Sequence, residues 1–232
     1  MRRAQGLVTM VTVLNLLAVS AAAAAQVSAA DVLSRVKEAS GGGAWDAVRT
    51  THTKVTLATG GLTGTGESWD DVLKGRYVDQ VELGPVWQAQ GFDGRTLWLQ
   101  DTSRQVRKEE GGDEREGAAN EAYRRSLAYF FPDRWPATLE STGEKEEGGR
   151  RFHVLRITPK DGRPFDMWVD AATNLVDHVV EKAALETRTT FLSDYRTVHG
   201  VKVPFAIRST NGETQYDQVL TVSSVEFNVP VE

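Results

Sequence analysis

The stretch FLSDYRTVHGVKVPFAIRST, from Phe191 to Thr210, decides the fold because it reads as two strands joined by a tight turn. Its second half alternates apolar with other side chains, the two series being Val201, Val203, Phe205 and Ile207, and Lys202, Ala206 and Arg208. This alternation predicts a half-buried strand. His199 and Gly200 can supply the two positive-φ positions of a hairpin turn, so His199 is expected to be a turn residue rather than a catalytic one. Pro204 lacks an amide hydrogen, which places it at a sheet edge or a bulge.

Similar segments fill most of the remaining chain, separated by Gly-rich, Asp-Gly or Asn-Gly turns. They are residues 53–59, 62–72, 76–83, 86–92, 96–101, 105–109, 138–146, 151–158, 165–170, 175–183 and 215–227. Such close spacing favours antiparallel neighbours, since parallel crossovers need much longer connections. We predict an α+β fold with about ten or eleven short strands and two helices.

Two helices are expected among these strands. The first runs from Ala29 to Ala39, with Ser28 as its N-cap and a glycine run beginning at Gly41 to end it. The second starts near Asp113, where Glu116 completes a capping-box pattern, and ends at Pro132. Its apolar stripe comprises Ala119, Tyr123, Leu127, Phe130 and Phe131.

The amino terminus has the pattern of a secretory signal peptide. Arg2 and Arg3 precede an apolar run at residues 7–19, and Ala23-Ala24-Ala25 matches a small-x-small cleavage site. We predict a signal peptide at 1–25 and a single domain at 26–232, with no integral membrane segment after cleavage. The sequence has no cysteine, so neither a disulfide nor a lipidated cysteine can form.

Charge argues against two kinds of partner. The formal net charge is −5, and removal of Arg2 and Arg3 would make it two units more negative. Positive and negative residues are interspersed along the chain. Nucleic acid and anionic membrane surfaces are therefore not expected as partners.

The motifs of common enzyme and cofactor sites are missing from the sequence. The four histidines are scattered without ligand spacing, and there is no G-x-S-x-G motif and no cysteine nucleophile. The glycines at positions 60, 61, 64 and 66 lie among threonines in a hairpin pattern, without the Lys-Ser/Thr and helix of a phosphate loop. We therefore expect no metal site, no cofactor and no enzymatic activity.

Acidic residues provide the main candidates for acid-base chemistry. Asp166 and Asp170 share one face of a strand, and Asp70 and Asp71 are adjacent. Paired carboxylates can act as general acid and base. Carboxylates on the polar face of an alternating strand are more often solvated, so an enzyme using Asp166, Asp170 or a histidine is only the third hypothesis for function.

Aromatic and aliphatic residues are more distinctive, because they fall on both faces of the predicted sheet. Trp98 and Trp168 alternate with other apolar residues, so one interior cannot hold all of them. An apolar cavity partly covered by the second helix would accommodate the surplus. The candidate cavity residues are Trp87, Leu97, Leu99, Tyr123, Leu127, Phe130, Phe165, Met167, Phe191 and Phe205.

Four segments carry a family resemblance: EASGGGAWDAVRT (38–50), GFDGRTLWLQD (91–101), FDMWVDAATNLVDHVVE (165–181) and SDYRTVHGVKVPFAIRSTNGE (193–213). Together they resemble the N-terminal region of secreted bacterial retropepsin-like aspartyl proteases. That region is similar in pattern to the periplasmic carriers that sort outer-membrane lipoproteins. The resemblance implies an incomplete antiparallel β-barrel whose concave face is covered by the two helices and encloses an apolar cavity.

The resemblance transfers no catalytic residue, because the sequence contains no Asp-Thr-Gly or Asp-Ser-Gly motif. Two functions rank above the enzyme hypothesis. The first is a periplasmic or secreted, non-enzymatic module that binds a lipid acyl chain, a lipoprotein or an apolar peptide. The second is an accessory or pro-region of an aspartic protease whose catalytic domain is absent from this chain.

Overall fold

The structure, a computed structural model, describes residues 27–109 and 111–230, so the predicted signal peptide lies outside the described residues. Its two α-helices are α1 (Ala29–Ser40) and α2 (Gly112–Arg125), and short 3-10 helices span Gly42–Ala47 and Thr214–Tyr216. The strands within these residues are β1 (Thr50–Thr59), β2 (Leu62–Asp71), β3 (Arg76–Leu83), β4 (Val86–Phe92), β5 (Leu97–Gln100), β6 (Val106–Glu109), β7 (Ala137–Glu147), β8 (Arg150–Pro159), β9 (Phe165–Asp170), β10 (Val176–Lys182), β11 (Thr187–Val198), β12 (Val201–Thr210) and β13 (Gln218–Phe227).

All thirteen of these strands belong to one sheet, in the order β6-β5-β4-β3-β2-β1-β13-β12-β11-β10-β9-β8-β7. Every neighbouring pair is antiparallel, as the short turns predicted. Because β1 pairs with β13, the first and last strands of the described chain meet in the middle of the sheet. The margins are β6 and β7, which are not neighbours, so the sheet is open.

The predicted fold class, an incomplete barrel of about ten or eleven strands with two helices on its concave face, is wrong. The four-residue strand β5 pairs with both β4 and β6, so even the shortest of the predicted segments join the sheet and bring it to thirteen strands. Charged side chains line both margins, including Arg107 and Lys108 on β6 and Glu144 and Lys145 on β7. Such charges discourage edge pairing. The helices are small, with 12 residues in α1 and 14 in α2.

Helix α1 forms as the sequence predicts. The Ser28 hydroxyl accepts a hydrogen bond from the backbone N–H of Asp31 at 3.1 Å, which caps the first turn. Gly41, with φ at 134°, ends the helix. Val32, Leu33 and Val36 are buried on one side and attach α1 to the sheet.

Helix α2 is shorter than predicted. It begins after Gly111 and ends at Arg125, because Leu127 has a left-handed backbone with φ at 55°. Residues 126–131 continue as hydrogen-bonded turns, so Pro132 does not end the helix. Asp113 does not cap it either, since its carboxylate accepts a hydrogen bond from Arg163 at 2.7 Å.

The β11–β12 hairpin matches its prediction. Val198 pairs with Val201, and the two turn residues have positive φ, 47° at His199 and 89° at Gly200. His199 is therefore a turn residue.

Both helices pack on the same face of the sheet, which we call the helix-bearing face. One cluster on it, the packed region, joins α1 and Tyr123 of α2 to strands β8 and β9 through Leu155, Ile157, Phe165, Met167 and Val169. These five side chains are at most 2% exposed. A second cluster joins α2 to β3, β4 and β5 through Tyr77, Phe92, Leu97, Ala118 and Ala122.

The sheet divides between β12 and β13, a feature we call the fork. The two strands pair only through residues 206–209 and 218–221. Beyond these residues β12 stays with β11 and β13 stays with β1. Pro204 lies in the part of β12 that does not pair with β13, which confirms its predicted edge position.

Candidate functional site

A cavity of about 320 Å³ lies where the sheet forks. Both arms of the fork line it, β12 through Lys202, Val203, Pro204 and Ile207, and β13 through Val222, Val225 and Phe227. Leu192 and Tyr195 of β11 add to the wall on the β12 side. The β11–β12 hairpin is thus one wall of a cavity.

Consecutive residues of β12 reach the cavity because this part of the strand has a free edge. In a fully paired strand, neighbouring side chains would point to opposite faces. Here Lys202, Val203 and Pro204 all line the cavity, whereas Phe205 does not. Strict alternation therefore fails at the fork.

The cavity is covered by the 3-10 helix at 42–47 and by the turns after α2. Trp45 of the first segment and Phe130 of the second have ring centroids 6.1 Å apart. The Trp45 indole N–H donates to the Ser40 hydroxyl at 3.0 Å, which fixes the ring. Phe130 also packs edge-on against Tyr129, with centroids 4.5 Å apart. The left-handed turn at Leu127 is what directs this segment back over the sheet.

Gly41 allows the hairpin to approach this cover closely. A Cβ at position 41 would lie 2.6 Å from the carbonyl oxygen of Gly200 and 2.8 Å from Cα of Val201. Any larger residue would push the His199–Gly200 turn away from the 3-10 helix. Glycine is also favoured by the positive φ of 134°.

Part of the cavity wall is charged, and Arg125 at the end of α2 is the centre of it. Its guanidinium donates to Asp70 at 2.8 Å, to Asp79 at 2.8 and 2.9 Å, and to Glu121 at 2.8 Å. Asp70 also accepts a hydrogen bond from the Thr51 hydroxyl. These bonds tie α2 to β1, β2 and β3.

Arg124 extends this ionic network to the other wing of the sheet. It donates to Glu181 on β10 at 2.9 Å and to Glu121 at 2.6 Å. Glu181 also accepts from Arg163 at 2.8 Å and from the Asn120 amide at 3.0 Å. One helix therefore fixes strands on both sides of the fork.

The ionisation of the network reflects burial and pairing. Burial raises the pKa of Asp70, although Arg125 and Thr51 act in the opposite direction. Burial also acts on Glu121, but attraction to Arg124 and Arg125 outweighs it and holds the pKa of Glu121 well below its usual range. Burial lowers the pKa of Arg125, but attraction to Asp79, Asp70 and Glu121 outweighs it and raises that pKa. Both arginines are therefore charged and paired with carboxylates.

Lys202 is the exception among the charged lining residues. Asp70, Arg124 and Arg125 belong to the network, whereas Lys202 has no ion pair within the described residues. Its side chain is exposed, so it lies at the margin of the cavity.

The predicted cavity residues are distributed over several sites. Leu127 and Phe130 line the cavity. Tyr123, Phe165 and Met167 belong to the packed region, and Leu97 belongs to the cluster between α2 and β3–β5.

The other four predicted residues lie away from the cavity. Trp87 is covered by Arg104, whose Cζ is 3.4 Å from the ring centroid, and Leu99 is half-buried in β5. Phe205 is covered by Arg196 at 4.5 Å. Phe191 is part of an aromatic row that also contains His178, 5.3 Å away, and Trp168. This row lies on the outer face, opposite Met167 and Val169, as alternation in β9 predicts.

Several lining residues were not predicted from the sequence, including Trp45, Thr51, Thr53, Asp70, Arg124, Arg125, Tyr195, Lys202, Val222 and Val225. The Arg124-Arg125 pair at the end of a helix follows the usual preference for cations there and carries no other sequence signal. Lys202 alternates with valines and is exposed, as expected for a half-buried strand, so the pattern carried no signal that it would line a cavity.

Within the described residues, no group of three or more His, Asp or Glu side chains could hold a metal ion. None of the described helices has the length and apolar character needed to cross a membrane.

Comparison with known proteins identifies the fold. No protein-family description matches the chain, and no curated protein matches its sequence. Solved structures do match. A LolA-superfamily protein from Nitrosomonas europaea aligns with a TM-score of 0.59 at 14% identity, over 88% of this chain and 96% of that one. The chain has a LolA-like fold.

Two further crystal structures support this fold. A DUF1329 family protein from Desulfovibrio piger has a TM-score of 0.57, and a domain named for outer-membrane lipoprotein sorting from Vibrio parahaemolyticus has 0.54. Each is 14% identical and aligns over 88% of this chain and 93% of its own. At 14% identity, the similarity shows a shared fold and nothing more. None of these three structures is described as a protease.

Proposed function

We propose that this chain is an exported, non-enzymatic module, periplasmic or secreted, that binds an apolar ligand in the cavity at the fork. The observation that carries this proposal is the mostly apolar lining contributed by both arms of a divided sheet. Concave, largely apolar sites with a few polar groups are typical of small-molecule binding. The LolA-like fold is consistent with it, since two of the compared structures are named for lipoprotein sorting or for LolA.

The polar groups of the lining favour binding over catalysis. Asp70 is held by Arg125 and Thr51, and Arg124 is held by Glu121 and Glu181. The Tyr195 hydroxyl donates to the backbone carbonyl of Val176 at 2.7 Å, and burial raises the pKa of Tyr195 above its ordinary value. Each of these groups already has a structural partner, so none is poised as a general base.

The ligand class follows from size and lining. A volume of about 320 Å³ is at the lower end of the range for small-molecule sites. This favours a narrow apolar chain over a bulky ligand. The candidates are the acyl chain of a lipid or lipoprotein and a short apolar peptide.

The protease-associated alternative gains no support. The sequence lacks the Asp-Thr/Ser-Gly motif, and the structures compared above share only the LolA-like fold. A carrier-type module accounts for the cavity without a catalytic partner.

Titration with a fluorescent fatty-acid probe tests the proposal. Val225 lines the cavity, so Val225→Phe should fill it and abolish saturable binding. Val106 on β6 is 61% exposed and lies outside this cavity, so Val106→Phe is the matched control and should bind like the wild type. The proposal fails if the wild type does not bind, or if folded Val225→Phe binds equally well.

A further inference from the structure

The charges at the cavity are unevenly compensated. Asp70, Arg124 and Arg125 are enclosed in the ionic network, with each arginine within 2.9 Å of carboxylate oxygens. An arginine with this many carboxylate partners has little capacity left for a ligand. An anionic group that approached it would also repel Asp79, Glu121 and Glu181.

Lys202 is in the opposite situation. It lines the same cavity, it is exposed, and no described carboxylate pairs with it. The position follows from the fork, because Lys202 pairs with Thr197 of β11 while its other side faces the gap towards β13. A cation is thus placed beside an apolar cavity at its solvent-exposed margin.

We propose that the ligand is an anionic amphiphile, with its acyl chain in the cavity and its acidic head group at Lys202. This inference rests on the proposed function and adds the class of ligand. An apolar tail gains from burial between Val222, Val225 and Phe130, where no free charge is present. The head group gains from the Lys202 ammonium and remains solvated, so the cost of burying an ion pair is avoided.

The expected preference is modest because Lys202 is exposed. An exposed ion pair contributes at most about 1 kcal/mol, which corresponds to no more than roughly a five-fold change in Kd. The preference for an anionic ligand should also weaken as salt is added. Apolar burial provides the rest of the affinity and is the same for a neutral amphiphile.

Calorimetric titration with dodecanoate and dodecanol, which differ in charge at the head, tests this inference. At low ionic strength the wild type should bind dodecanoate more tightly, by up to roughly five-fold, and high salt should reduce the difference. Lys202→Gln should bind both with equal affinity. Lys182→Gln is the control, because Lys182 is an exposed lysine on β10 outside the cavity and without an ion pair within the described residues.

The possible outcomes separate the inference from the proposed function. If both compounds bind the wild type equally, or Lys202→Gln keeps the preference, the head-group assignment is overturned while the cavity stands. If Lys182→Gln loses the preference as well, the effect is one of overall charge, and the assignment is likewise overturned. If neither compound binds, the proposed function fails and the inference fails with it.

Discussion

The packed region and the cavity lie on the same face of one sheet, yet one is filled and the other is open. In the packed region Phe165 and Leu155 lie on neighbouring strands, beneath α1 and Tyr123, and are 2% and 0% exposed. At the cavity Val203 and Val225 lie on two arms of a fork and remain partly exposed. Side-chain chemistry is similar in the two regions. The difference lies in strand pairing.

This contrast shows how a sheet can make a cavity without large insertions. Where strands are continuously paired, side chains of adjacent strands are about 5 Å apart and can fill the space under a helix. Where β12 and β13 separate, side chains on the two arms cannot meet. The cover over the cavity, formed by Trp45 and Phe130, bridges this gap without filling it.

The largest expected effect is in the packed region. Phe165→Ala should lower the free energy of unfolding by about 3–5 kcal/mol, the usual cost of deleting a packed phenylalanine. Denaturant melts measure it. Any variant that remains folded should still bind the fatty-acid probe. A loss below about 1 kcal/mol would mean that this region is not close-packed.

Phe130→Ala should have a smaller effect on stability and a larger one on binding. Phe130 is only half-buried and lines the cavity, so its removal enlarges an existing space. We expect a loss below about 3 kcal/mol, the lower limit for packed phenylalanines. The probe affinity should change, as fluorescence titration will show. If Phe130→Ala lowers the free energy of unfolding by about 3 kcal/mol or more and leaves the probe affinity unchanged, Phe130 is packed like the residues of the packed region, and the two regions do not differ.

Glu121→Gln should have the smallest effect at neutral pH, about 1 kcal/mol or less, because the side chain is partly exposed. The substitution should change stability most clearly at acidic pH. The pKa of Glu121 is lowered in the folded state, so its contribution is present above the unfolded value of about 4.3 and is lost as pH falls. Stability measured against pH should therefore decline less steeply below about pH 5 in the variant. Identical acid profiles would show that the network does not depend on Glu121.

Local sequence signals predicted local structure well. Ser28 and Gly41 fixed the ends of α1, His199-Gly200 fixed the hairpin turn, and Pro204 marked the free edge of β12. Each of these depends on backbone chemistry within a few residues. The number of strands and the openness of the sheet depend instead on how its margins pair. The strand patterns led to too low a count, and the resemblance wrongly implied a barrel.

The site was less predictable because it forms where distant segments meet. Leu127 and Phe130 were predicted through their apolar stripe, but α2 ends before them, and a left-handed residue places them over the cavity. Alternation predicted that Lys202 is exposed, which it is, but could not show that it lies at the margin of a cavity. Phe191 was predicted to line the cavity, but it lies in the aromatic row on the outer face, where it packs against His178.

The central claim is that an acyl chain occupies the cavity at the fork, and a crystal structure with ω-bromododecanoate tests it most directly. The anomalous signal of bromine locates the end of the chain. The account predicts bromine inside the cavity, near Leu127, Phe130 and Val225. Bromine on the outer face beside Phe191 and Trp168, or no bound chain at saturating concentration, would contradict it.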